Sequence, residues 1–131
     1  MIGLDTNVVV RYLVQDEPDQ SAQASEVIDA LTESKPGFLS LVTIVELYWV
    51  LRSAYKVSTA RCSEMIEGLR DARELRVDQD SIVRAALIAS KGGVDFADAV
   101  IAELGRVAGC KHTVTFDIRA ARSSEMRLLT K

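Results

Sequence analysis

The chain has 131 residues, 48% of them hydrophobic and 27% charged, with a mean hydropathy of +0.11. This is one domain's worth of chain with enough apolar side chains for a core, so disorder is excluded as its main state, and seven glycines and two prolines exclude collagen-like and proline-rich architectures. A formal charge of -3 excludes a generic basic nucleic-acid binder, so handling RNA or DNA would require something to offset that charge locally.

Residues 2–4 form a short apolar run that predicts a buried strand, and Asp5-Thr6-Asn7 offers helix-capping chemistry before the apolar residues 8–14. Pro18 suits a helix start, and Ala22, Val27, Ile28 and Leu31 predict its inner stripe. An ordinary amphipathic helix accounts for this face, and a partner groove is the alternative. Pro36-Gly37 ends that helix, Phe38-Leu39 predicts a strand, and Ser40 can cap the next helix. Residues 41–55 are apolar almost all round, which predicts a helix buried in the middle of the domain. Ser58 can cap an amphipathic helix with Met65, Ile66 and Leu69 inward. Residues 75–77 predict a strand, and residues 82–89 a helix closed by Gly92-Gly93. A further helix is predicted over 95–107, closed near Gly109, then a strand over 112–116, a short helix after Asp117, and an edge strand over 127–130. Strands alternating with helices imply a single α/β domain over 1–131 with a short, mostly parallel sheet, whose ligands belong at the carboxyl ends of the strands.

Residues 1–7 lack the basic start and long apolar run of a signal peptide, and no apolar stretch approaches the roughly 20 residues that span a bilayer. Cys62 and Cys110 give neither a disulfide framework nor metal-ligand spacing, which predicts reduced, buried cysteines in a cytoplasmic protein. His112 is the single histidine, so a histidine-rich zinc site is excluded. Trp49 reads as core, and Tyr12, Tyr48 and Tyr55 as packing residues rather than base-stacking platforms.

Four acids carry the chemistry. Asp5 and Asp117 fall at the carboxyl ends of predicted strands, where a capping role alone would also explain them. Glu46 has Val42, Thr43, Trp49 and Val50 as its helical neighbours, none able to neutralise it. Burying such a carboxylate unpaired costs on the order of 3–5 kcal/mol, so it needs a partner or a ligand. Asp98 forms an i, i+3 pair with Asp95 at a helix start and also faces Ile101 and Ala102. Asp95 is equally well explained as the helix cap. Taken together, two acids at strand ends and two on helices can converge at one edge of a parallel sheet. Clustered carboxylates repel, and the hard, oxygen-loving ions that would hold them are magnesium or manganese. Such ions bridge phosphate oxygens and activate water.

Asp5-Thr6-Asn7, Glu46 within Thr43-Ile44-Val45-Glu46-Leu47, Asp95-x-x-Asp98-Ala99 and Thr115-Phe116-Asp117 occur in the order found in PIN-domain nucleases. The chain resembles that family over essentially its whole length, and residues 40–55 resemble the VapC toxins of toxin–antitoxin pairs. The resemblance implies a PIN-like α/β/α sandwich and a Mg- or Mn-dependent endoribonuclease. It implies Asp5, Glu46, Asp98 and Asp117 as the acidic site, with Asp5 and Asp98 as principal metal ligands. Asn7, Thr115 and Asp95 match supporting positions. A homodimer and a cognate antitoxin, whose C-terminal segment covers the site, are implied as well. Arg11, Arg52, Lys56, Arg119 and Arg122 are candidates to guide RNA, although each taken singly is explained as a solvated charge. Two other classes stay open. One is an α/β phosphatase or phosphoacceptor with Asp5 as nucleophile, which the presence of Asn7 where a second Asp is usual speaks against. The other is a catalytically silent interaction module.

Overall fold

Short polar side chains open most of the helices. In the computed structural model, which describes residues 1–123 and 126–130, Asp5 caps α1 (Thr6–Val14) by accepting the Thr6 N–H. Glu17 caps α2 (Pro18–Asp29), Ser40 caps α3 (Leu41–Ser53) and Ser58 caps α4 (Thr59–Asp71), each accepting an N–H three residues on. These bonds satisfy donors that a helix start otherwise leaves orphaned. The α1 helix stops at Gln15, whose left-handed φ of 60° lets its N–H reach the Arg11 carbonyl.

Strands β1 (Ile2–Gly3), β2 (Gly37–Leu39) and β3 (Leu75–Val77) form a parallel sheet in that order. Packing is close around Gly37 at its centre: a Cβ there would lie 2.8 Å from a Leu31 methyl and 3.0 Å from one of Leu4, so these leucine ends would have to shift. All these elements lie in the first of two compact units, Met1–Asp80. Its core is built on Leu39, Ile44, Leu47, Leu51 and Ile66, all fully buried.

The second unit starts at Ser81 and takes in nearly all of α5 (Asp80–Lys91), followed by α6 (Phe96–Val107), β4 (Thr113–Thr115), α7 (Ile118–Ser123) and β5 (Met126–Leu128). β4 and β5 pair in parallel, Thr113 opposite Met126 and Thr115 opposite Leu128. Gly93 and Gly109, at φ of 100° and 95°, terminate α5 and α6, as the sequence predicts. The architecture is the expected PIN-like α/β fold with short parallel strands.

Several expectations need correction. The first strand is not buried: Ile2 and Gly3 are exposed, and only Leu4, just beyond β1, is buried. The inner stripe of α2 is Ser21, Ala24 and Ile28, while Ala22 and Val27 face solvent. Small side chains let α1 and α2 approach closely, and that contact outweighs the burial of a valine. The α3 helix is not buried all round. Leu41, Ile44, Leu47, Tyr48 and Leu51 are buried, but Val42 is 75% and Trp49 67% exposed. Trp49 is therefore a surface residue, not core. Finally, Cys62 is buried as expected but Cys110 is exposed, in the turn beyond α6. Among the described residues no helix is long and apolar enough to cross a membrane.

Candidate acidic site

In the second unit, β4 delivers its chain into a fixed turn. The Thr115 carbonyl accepts the Leu129 N–H at 2.7 Å, and Thr115 Oγ1 accepts the Asp117 N–H at 3.0 Å. Asp117 Oδ1 in turn accepts N–H groups of Arg119 (2.8 Å) and Ala120 (3.3 Å), which opens α7. On α6, Asp95 is the cap, and its Oδ1 accepts the Asp98 N–H at 3.0 Å. Asp98 occupies the third helical position, half-buried.

The Asp98 carboxyl is held above its ordinary pKa, first by burial and then by the charges of Asp95 and Asp117. The structure therefore brings Asp95, Asp98 and Asp117 within electrostatic reach of one another. In the first unit, Asp5 lies at the carboxyl end of β1, exposed, and Asn7 follows it in the first turn of α1. Asn7 also lines a groove of about 350 Å³ with Val8, Arg11, Gln20, Ala24 and Val27. Glu46 is exposed on α3, between Val42 and Trp49 on the solvent side. This corrects the expectation of a buried acid. Of its four helical neighbours Val42 and Trp49 are themselves at the surface, while Thr43 is buried and Val50 half-buried, and Glu46 shares the exposed side.

Two of the guiding arginines have structural employment. Arg11 donates to Gln20 Oε1 (2.7 Å) and to the Tyr55 hydroxyl (3.0 Å), and lies 3.6 Å from Asp16. Arg52 donates to the Val57 carbonyl at 2.9 Å. Lys56, Arg119 and Arg122 are exposed. Two exposed aromatic residues lie near the acids in sequence: Trp49, one turn from Glu46, which the residue pattern reads as core, and Phe116, adjacent to Asp117 and 83% exposed, which it does not single out. For Phe116 the sequence carries no such signal, since an apolar Val114 and Phe116 two residues apart read as a buried face, and only the structure shows both exposed.

Among the described residues no group of three or more His, Cys, Asp or Glu side chains is gathered closely enough to hold a metal ion as it stands. Two of the three neighbouring carboxylates, Asp95 and Asp117, are tied to backbone N–H groups, in each case through Oδ1. Their chemistry nonetheless fits a hard divalent cation: three oxygen donors of like charge whose repulsion such an ion would relieve.

The PIN domain family model matches residues 2–125, a span that runs across both units, and the chain belongs to that family. PIN domains are generally nucleases and typically use divalent metal ions. No curated protein matches the chain significantly.

Proposed function

We propose that this protein is a metal-dependent endoribonuclease, the toxin of a VapC-type toxin–antitoxin pair, in which Asp5, Glu46, Asp98 and Asp117 serve one Mg or Mn centre. The observation that carries the reading is the Asp98 carboxyl at the start of α6, held above its ordinary pKa first by burial and then by the charges of Asp95 and Asp117, in a chain of the PIN family. That Asp5 and Glu46 act with them is supported by the order of the four sequence motifs. Asp5 and Asp98 would hold the ion, and Glu46 and Asp117 would help hold it or orient the attacking water. When bound, the ion supplies positive charge to the phosphate oxygens and makes a water molecule more acidic.

The residues around the acids have supporting tasks. Thr115 fixes the backbone of Asp117 through its hydroxyl, Asp95 fixes the start of α6, and Asn7 stands in the first turn of α1, two residues after Asp5. Arg119 and Arg122, which follow Asp117 closely in sequence, are the first candidates to guide RNA, ahead of Arg11 and Arg52. A homodimer and a cognate antitoxin complete the proposal, on the resemblance to VapC toxins.

Cleavage of RNA by purified variants tests it. Asp5→Asn and Asp98→Asn are expected to cut at least about 100-fold more slowly than the parent, with melting temperatures not lowered. Parent-like cleavage by either folded variant contradicts the proposal.

A further inference from the structure

Phe116 has the highest exposure of the large apolar side chains that stand out from the described surface, at 83%. Burial therefore gives this ring almost nothing. Its backbone is nevertheless firmly held. On one side Thr115 pairs with Leu129 and bonds the Asp117 N–H, and on the other Asp117 accepts two N–H groups of α7. A ring presented from a braced turn is available for contact without a large ordering cost. It directly precedes Asp117, and Arg119 lies two residues beyond that acid. Asp117 and Arg119 bring charges of both signs to a stretch whose other exposed side chains, Val114 and Ile118, are apolar. They suit a nucleotide, whose base is flat and apolar on its faces and whose phosphate is charged.

We propose that Phe116 is a positioning residue whose ring stacks on an RNA base beside the phosphate served by Asp98 and Asp117. The inference rests on the nuclease reading and assigns it a base-contacting side chain. Stacking is tolerant of base identity, so Phe116 fixes where an unpaired strand lies rather than which base it carries.

The test uses the full chain and a short single-stranded oligoribonucleotide containing 2-aminopurine, whose fluorescence falls on stacking. Binding is measured with calcium, and cleavage with magnesium. Phe116→Ala is expected to bind about tenfold more weakly, with the quenching lost. In cleavage the loss is expected in KM more than in kcat. Phe116→Trp should restore binding and quenching, whereas Phe116→Leu, which keeps apolar bulk without a ring, should not. Parent-like quenching in Phe116→Ala, or rescue by Phe116→Leu, overturns the inference. If the parent cleaves RNA and Phe116→Ala has the same KM, the stacking role fails and the nuclease reading stands. If the parent neither binds nor cleaves RNA, both fail.

Discussion

Asp98 is half-buried in the first turn of α6, with two like charges in reach. Near a helix start an acid is normally favoured by the dipole. Here burial and the charges of Asp95 and Asp117 win, and the carboxyl is pushed up. The folded state therefore keeps its proton to higher pH than the unfolded chain does. The associated stability is fully present below the ordinary carboxyl value of 3.8 and is lost as pH rises through the folded value. Asp98→Asn, which keeps the shape and removes the charge, should thus melt at a higher temperature than the parent at pH 7 in chelator. The gain should vanish when both are measured below pH 3.8. Equal melting temperatures at pH 7 would mean that the three acids do not strain the fold. Asp98 is legible in the sequence because Asp95 lies three residues away and helical spacing is rigid. Glu46 is misread there because Val42 and Trp49 look like core, and side-chain type alone does not say which face of an apolar helix is covered.

At the scale of elements, most starts are legible because capping is local. Asp5, Ser40, Ser58 and Asp95 each act within three residues, and each caps the helix expected of it. Faces are less legible, since they depend on what packs opposite. Ala24 and Ser21 turn inward on α2 only because α1 lies close, a tertiary fact. The same holds for Gly105, which in the sequence is simply a glycine inside a helix. A Cβ there would come within 2.8 Å of Thr113 Oγ1, so α6 approaches β4 through this position. Gly105→Ala gains helix propensity of up to about 1 kcal/mol but forces a stiff β-branched neighbour to move. Overpacking costs typically about 1–3 kcal/mol, so net destabilisation is expected in urea unfolding. The loss should be smaller in a Thr113→Ala background, which removes the opposing oxygen. An equal loss in both backgrounds would show that the contact is not the cause.

For the whole molecule, alternating strands and helices make the parallel α/β architecture readable from residue pattern alone, and the family match over residues 2–125 agrees. The division of the chain into two compact units is not readable, because no proline-, glycine- or serine-rich linker marks residue 80. The boundary falls at the first residue of α5, where Asp78-Gln79 reads only as the turn between a strand and a helix. The acidic balance of the chain, -3 overall, is what makes a metal central to the proposed chemistry. Without a cation, phosphate and the carboxylates would repel; with one, they share it.

Metal dependence of RNA cleavage by the purified parent chain, measured together with the chemistry of the ends produced, tests this role of the cation most directly. Cleavage is predicted in Mg²⁺ or Mn²⁺, none in chelator, and recovery when excess metal is returned. Because water rather than the ribose hydroxyl attacks phosphorus, the new ends should carry no 2′,3′-cyclic phosphate. Cleavage that persists in chelator and leaves cyclic ends would contradict the proposed chemistry, as would a parent protein that leaves every RNA intact in saturating metal.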